Sequence, residues 1–297
     1  MNRPVPALLV LLAVTAVWGV TFVQVKDAVA IYPLFAFLAV RFAIASGTLA
    51  LPGLRRIRSL GPAGLGAAAL AGSLLGAGFA LQTAGLERTS VSSAGFVTGL
   101  YVVLTPVIAL GRFRTRIARA AWAGVAVATV GLALLAGVHP AGAGGDLLVL
   151  GGAAVYALQI VLMERYAPLY DAFAFTLAEM VAACAGLLAI ALAFEGGVPM
   201  PHGATVWGAL IVTGIFASAL AFLAQTWAQR RTSATRTALA FSLEPVWTAF
   251  FGLTLAGDRL GPVRWAGCAV IMAGIVLAEP AAAAVLVRLV GRGPRAA

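Results

Sequence analysis

The chain repeats itself half a protein apart. Residues 79–90 read FALQTAGLERTS and residues 222–233 read FLAQTWAQRRTS, with six identities in twelve positions at a spacing of 143 residues. At the same spacing, WAGVAVATVGLALL at 122–135 matches WAGCAVIMAGIVLA at 265–278, with seven identities in fourteen. An internal repeat of this extent predicts two homologous halves.

A third match shows how much of the chain the repeat covers. YPLFAF at 32–37 pairs with YDAFAF at 170–175, at a spacing of 138 residues. The longest polar connection, GVHPAGAGGD at 137–146, lies between the repeated blocks. We therefore expect two domains, one per repeat, at residues 1–140 and 141–297.

The composition places both halves in a membrane. Hydrophobic residues make up 62% of the chain and charged residues 10%, whereas a soluble domain has about 25% charged residues. The net charge of +10 does not indicate a nucleic-acid surface, because the arginines lie in short clusters between apolar runs. The composition predicts a multi-pass protein of the cell membrane, with the lipid bilayer as its surroundings.

Ten apolar runs are long enough for membrane helices, each of which needs about 20 residues. They lie near residues 6–25, 33–53, 63–85, 91–110, 118–136, 147–164, 172–194, 204–228, 235–256 and 262–280. The predicted fold class is therefore an all-α integral membrane protein with ten transmembrane helices.

The basic residues orient these helices. With the N-terminus in the cytoplasm, the inner connections hold fifteen Lys and Arg residues and the outer connections hold four, as the positive-inside rule requires. Five helices per half is an odd number, so the second half enters the membrane in the opposite orientation. Inverted repeats of this kind are typical of secondary transporters that bind substrate near the midplane.

Several short motifs occur in order along the chain: Trp18-Gly19, Arg41-Phe42, Thr89-Ser90, Ser233, the run SLEPV at 242–246 and Gly257-Asp258-Arg259-Leu260. Together they resemble the motifs of the EamA family, within the drug/metabolite transporter superfamily. The resemblance covers essentially the whole chain as two tandem repeats, and it implies ten helices, a central cavity and the transport of small metabolites such as amino acids. Family members often carry Gly-Glu after the fourth and ninth helices, where this chain has Gly-Arg and Gly-Asp. The two halves are therefore not expected to line the cavity identically.

Two charges of opposite sign fall at equivalent positions of the repeat. Arg41 lies about eight residues into the second segment and Glu179 about eight into the seventh, 138 residues apart. A charge inside a bilayer costs about 2.5–3.5 kcal/mol on insertion scales, so it is a functional candidate by default. We hypothesise that both face the cavity, as an ion pair or as ligands of a zwitterionic substrate. A structural ion pair, or snorkelling to an interface, is the alternative.

Glu244 is the third intramembrane charge. It precedes Pro245 in the ninth segment, and proline frees a carbonyl group one turn earlier and favours a kink. A buried carboxyl group at a kink is a candidate proton carrier, so coupled protons are a candidate partner. The alternative is a local structural hydrogen bond.

Five uncharged residues complete the candidate site. Gln82 and Gln225 are equivalent at the 143 spacing, and Trp18 and Tyr156 at the 138 spacing. The glutamines are expected to make interhelical hydrogen bonds, with substrate contact as the second interpretation. Trp18, Tyr156 and Tyr101 offer aromatic faces for a substrate or for core packing.

Two further patterns concern helix ends and helix packing. The hydroxyl groups of 89–90 and 232–233 are expected to cap the fourth and ninth helices. Small residues four apart predict close helix approach, at Gly72 with Gly76, Gly95 with Gly99, and Gly214 with Ser218.

The leading function is a secondary transporter, with export as the expected direction and a small molecule as its substrate. A membrane enzyme acting on lipid, the first alternative, needs clustered acids, histidines or metal ligands. In this chain most of the ten acids lie singly in loops, and His139 and His202 are isolated in connections. A passive channel is the other alternative. No catalytic residue, metal or cofactor is predicted, and the sequence does not decide the substrate or the oligomeric state.

Overall fold

The computed structural model describes residues 4–89, 91–136, 143–255 and 261–278, and these contain helices and no strand. The helices are α1 (Pro4–Val29), α2 (Leu34–Leu54), α3 (Gly61–Leu86), α4 (Val91–Gly99), α5 (Tyr101–Phe113), α6 (Arg119–Ala136), α7 (Ala143–Tyr166), α8 (Ala172–Phe194), α9 (Gly203–Ile211), α10 (Ala221–Gln229), α11 (Ala234–Phe241), α12 (Glu244–Leu255) and α13 (Pro262–Ala278). A π-helical stretch, Val212–Leu220, joins α9 to α10 without a break.

Where the structure describes them, the ten predicted segments fall on helix, and the prediction of an all-helical membrane protein is confirmed; residue 256 of the ninth segment and residues 279–280 of the tenth lie outside the described residues. Among the described residues, seven helical runs are long and apolar enough to cross a bilayer. They are Pro6–Val29, Leu34–Leu54, Ile57–Leu86, Ala94–Phe113, Gly144–Leu169, Ala172–Phe194 and Gly203–Gln229. Arg119–Leu134 and Pro262–Ala278 are shorter apolar helices. The ninth segment is divided, because α11 ends at Phe241 and α12 begins at Glu244.

Carboxylates and a hydroxyl group satisfy exposed backbone N–H groups at three helix starts. Asp171 Oδ1 accepts from the second and third residues of α8. Glu195, which follows α8, accepts from the backbone N–H groups of Phe35 and Ala36 and so caps α2. The predicted cap at Ser233 is confirmed, since its hydroxyl accepts from the N–H of Arg236. Thr89 instead donates to Asp146 Oδ1, and Ser90 lies outside the described residues.

Helices of the two repeats pack in pairs across the molecule. α2 packs on α8 and α6 packs on α13, so that equivalent helices of the two repeats meet. α3 packs on α7, and its repeat equivalent, the run from α9 to α10, packs on α1. Most contacts therefore have a counterpart related by the repeat, and the interior lies between the halves rather than within either one.

The small residues act differently from one predicted pair to the next. Gly72 and Gly76 face the backbone of α8, and Gly214 faces Ile44 and the carbonyl of Arg41 on α2. A Cβ added at Gly95 would meet no other group within 4 Å, so the packing there does not require glycine, whereas a Cβ added at Gly99 would lie 2.9 Å from the Leu132 side chain.

Candidate functional site

A central cavity is lined by residues of α1, α2, α3, α7 and α10 and of the two broken runs, α4–α5 and α11–α12. The space between its lining atoms is about 680 Å³, which includes open solvent. The structure brings seven of the eight predicted site residues to its wall: Trp18, Arg41, Gln82, Tyr101, Tyr156, Gln225 and Glu244. Glu179 is the exception.

Repeat-equivalent residues line this cavity together. Trp18 and Tyr156 both line it, as do Gln82 and Gln225. Tyr101 and Glu244 are also equivalent at the 143 spacing, and the Tyr101 hydroxyl donates to Glu244 Oε2 at 3.3 Å. The cavity is therefore built around the relation between the two halves.

Arg41 is a buried cation on the cavity wall. It is 3% exposed, and its Nε donates to Ser218 Oγ at 2.8 Å. Its guanidinium lies 4.4 Å from the centre of the Phe79 ring, within the range of a cation–π contact. In the described part of the chain no carboxylate forms an ion pair with Arg41. The positive charge is thus held by a hydroxyl group and an aromatic face.

Glu179 lies behind the wall. It is 0% exposed, and its Oε1 accepts from Gln159 Nε2 at 2.8 Å. Its Oε2 has no hydrogen-bond partner among the residues that the structure describes. Arg41 and Glu179 therefore have separate partners, and no ion pair joins them in this conformation. Glu179 reaches the cavity only through Gln159, which lines it.

Glu244 is the carboxylate on the cavity wall. It is the first residue of α12 and is 7% exposed. Its position at the break between α11 and α12 places the acid where the helix is interrupted, one residue before Pro245.

The amides make the expected interhelical hydrogen bonds while also lining the cavity. Gln82 donates to Thr98 Oγ1 at 2.9 Å and accepts from the Tyr156 hydroxyl at 3.1 Å. Gln225 donates to Gln159 Oε1 at 3.1 Å, and its own Oε1 is buried without a partner among the described residues.

Sequence reasoning missed Gln159 and Phe79. Gln159 links Glu179 to Gln225, and its repeat equivalent at the 138 spacing, Thr21, also lines the cavity. Phe79 is equivalent to Phe222 at the 143 spacing, and both are on the wall. Listing every repeat-equivalent pair in the apolar runs, polar or aromatic, would have found them.

Aromatic rings form much of the wall. The Trp18 ring lies 4.7 Å from the Phe241 ring and 5.5 Å from the Phe222 ring, measured between centroids. The Phe79 ring is 5.5 Å from that of Tyr156 in an edge contact. Trp18 Nε1 is satisfied by the Ala217 carbonyl at 2.8 Å. The rings leave an apolar space with a few fixed polar groups, the usual composition of a small-molecule site.

A polar contact joins the helix ends that follow the cavity residues Val25 and Leu86 in sequence. Lys26 Nζ donates to the Thr89 carbonyl at 2.9 Å, so the end of α1 is joined to the connection after α3. Burial raises the pKa of nearby Tyr32 above its ordinary value, and the charge of Glu195 raises it further.

Groups of three or more residues that could hold a metal ion are absent from the described residues.

Comparison with known proteins identifies the class of molecule that this fold and cavity resemble. The model of the EamA-like transporter family matches twice, over residues 5–137 and 143–279. An uncharacterized transporter of Archaeoglobus fulgidus is 29% identical over 264 residues, which covers 89% of this chain and 82% of that protein. The uncharacterized transporter YyaM of Bacillus subtilis is 26% identical over 213 residues, covering 67% of this chain and 68% of YyaM.

A solved crystal structure shares the fold. It superposes with a TM-score of 0.77 at 20% sequence identity, over 95% of this chain and 99% of that one.

Proposed function

The chain belongs to the EamA-like transporter family, and we propose that it is a secondary transporter that exports small metabolites carrying a carboxylate group, such as amino acids. The family and the relatives named as transporters indicate transport rather than enzyme chemistry. The direction, the substrate class and the mechanism are our proposal.

The mechanism proposed is alternating access between two inverted repeats, 1–140 and 141–297, with ten membrane helices and both termini in the cytoplasm. The internal repeat, the fifteen-to-four distribution of basic residues and the paired helix contacts support it. In such a carrier the two halves rock around a site between them. The cavity, which repeat-equivalent residues of the two halves line together, is the site that we propose.

The observation that supports the substrate class is the unpaired charge of Arg41. A buried cation without a counter-ion is costly, and an anion that reaches it gains strongly because both groups are shielded from water. A guanidinium matches a carboxylate in shape and offers two parallel N–H donors. Since no described carboxylate fills this role, the substrate supplies it.

The remaining wall residues divide between the other parts of an amino acid. Glu244, bonded to Tyr101, is the negative group available to a substrate ammonium. The rings of Trp18, Phe79 and Phe222 offer apolar surface to a side chain.

We propose that one of the two buried carboxyl groups exchanges a proton during transport. Glu244 faces the cavity directly, whereas Glu179 would act through the amide of Gln159 as a positioning residue. Glu179→Gln and Glu244→Gln separate the two, because only loss of the titrating group removes the pH dependence of transport.

The experiment is counterflow in proteoliposomes loaded with a mixture of amino acids. We expect saturable exchange that Arg41→Ala weakens by about 30-fold or more, from the 2–5 kcal/mol typical of a lost buried charge contact. Arg58→Ala is the matched control, since Arg58 is exposed at a helix end. Equal loss in both variants would remove Arg41 from the site, and flux that rises linearly with concentration would indicate a channel. Inverted and right-side-out vesicles then report the direction.

A further inference from the structure

A groove separate from the central cavity lies on the surface of the protein, between α3, α5 and α7. Its apolar floor is formed by side chains such as Leu70, Leu74, Ile108 and Leu158. Its lining along α7 runs from Ala154 to Tyr166, which is about 18 Å at 1.5 Å per residue. The groove does not share a residue with the central cavity.

One end of this groove is strongly basic. Arg112, Arg114 and Arg165 line it where α5 and α7 finish, and all three are exposed. No ion pair engages them in the part of the chain that the structure describes. The acid next in sequence, Glu164, accepts from the N–H of Ala234 and so caps α11. Three positively charged side chains therefore lie at one end of the apolar groove, and no described carboxylate forms an ion pair with them.

The backbone at this end is held in an uncommon conformation. Arg114 has φ +51°, in the left-handed region, which is unfavourable for residues other than glycine. It ends α5: its N–H donates to the Leu110 carbonyl and the N–H of Thr115 donates to the Ala109 carbonyl. Glycine or asparagine is usual at such a helix end. Here the position places an arginine on the rim of the groove.

We infer that this groove binds one anionic phospholipid, with its phosphate on the three arginines and an acyl chain along the apolar floor. Basic pockets between membrane helices on the cytoplasmic side suit anionic headgroups, and the orientation proposed above puts the ends of α5 and α7 on that side. A free phosphate would leave the apolar floor unused, and a zwitterionic lipid such as phosphatidylcholine would offset its phosphate charge with its own choline cation. A bound lipid bridges α5 of the first repeat and α7 of the second, so it acts on the interface between the moving halves.

The test measures lipid binding to the purified protein in neutral detergent, by native mass spectrometry and by thermal stabilisation. Phosphatidylglycerol is compared with phosphatidylcholine and with inorganic phosphate. We expect one tightly bound phosphatidylglycerol, and about 30-fold weaker binding in the double variant Arg112→Gln/Arg165→Gln, at about 1 kcal/mol per arginine. Arg55→Gln/Arg58→Gln is the control, because it removes the same charge from exposed positions outside the groove.

A second variant tests the apolar floor without changing charge. Leu74→Trp fills the groove between α3 and α7. We expect it to weaken binding of the long-chain lipid but not of its short-chain soluble analogue. Equal weakening by the two double variants would overturn the proposal, as would displacement of the lipid by millimolar inorganic phosphate. Full binding of long-chain lipid in a folded Leu74→Trp protein would also overturn it. These results leave the transport proposal untouched, because substrate counterflow is measured separately.

Discussion

Gly72 is the position where the structure leaves least room for a side chain. A Cβ at Gly72 would lie 2.1 Å from the backbone carbonyl oxygen of Glu179 and 2.8 Å from the Cβ of Ala182. Ordinary van der Waals contact begins near 3.4 Å, so Gly72→Ala must push α3 and α8 apart by roughly 1 Å. The carbonyl is part of a helix and cannot rotate away, so the whole contact between α3 and α8 has to move.

The cost follows from these distances. Overpacking a well-packed interior costs about 1–3 kcal/mol, while alanine in place of a helical glycine gains up to about 1 kcal/mol. We expect Gly72→Ala to lower the free energy of unfolding by about 1–2 kcal/mol. The matched control is Gly66→Ala in the same helix, where an added Cβ meets nothing within 4 Å. That variant should be as stable as the wild type or slightly more so.

The assay is equilibrium unfolding in detergent micelles, followed by the fluorescence of the six tryptophans. Gly76→Ala provides a graded comparison, because its Cβ would lie 3.3 Å from the Ala183 carbonyl and needs a shift of only a few tenths of an ångström. The expected order of stability is Gly66→Ala, Gly76→Ala, Gly72→Ala. If Gly72→Ala unfolds together with Gly66→Ala, then α3 and α8 do not approach as closely as described.

Three further predictions concern single contacts. Asp171→Ala should cost about 0.5–2 kcal/mol of unfolding free energy by removing the cap of α8, whereas Asp171→Asn should keep most of it, as thermal unfolding of both would show. A double-mutant cycle with Tyr101→Phe and Glu244→Gln should give a coupling energy of about 0.6 kcal/mol and at most about 1.7 kcal/mol; zero coupling would mean that their hydrogen bond does not form. Burial raises the pKa of Glu87, which Arg88 opposes and Glu195 reinforces. The folded state therefore holds the Glu87 proton more tightly than the unfolded state, and stability falls as the pH rises through that raised pKa. Glu87→Gln should remove this fall in a series of melting temperatures from about pH 4 to about pH 7, and an unchanged pH profile would contradict it.

The helices were predictable because local sequence signals mark their boundaries. Apolar runs end at charges, prolines and glycines, and those signals do not depend on tertiary packing. The π-helical stretch Val212–Leu220 was not predictable in this way. It lies where Gly214 packs against Ile44 and the carbonyl of Arg41. We therefore attribute its hydrogen-bond pattern to packing against a helix that is distant in sequence.

The candidate site was partly predictable for a different reason. Repeat equivalence relates residues without any knowledge of packing, and it brought Gln82 with Gln225 and Trp18 with Tyr156 to attention. It also pairs Gln159 with Thr21, but it does not show that Gln159 joins Glu179 to the cavity wall. That role is set by the rotamer of a long side chain, which the repeat does not determine.

Arg41 and Glu179 show where equivalence in sequence stops. The partner of Arg41 is Ser218, and the residue equivalent to Ser218 at the 143 spacing is Leu75, which has no polar atom to offer Glu179. The partner of Glu179 is Gln159, and its equivalent at the 138 spacing is Thr21, too short to engage Arg41 in the same way. Each charge therefore contacts a polar neighbour whose repeat equivalent cannot serve the other charge. The cation lies on the cavity wall and the anion behind it, the arrangement from which we propose that the substrate carries a negative group.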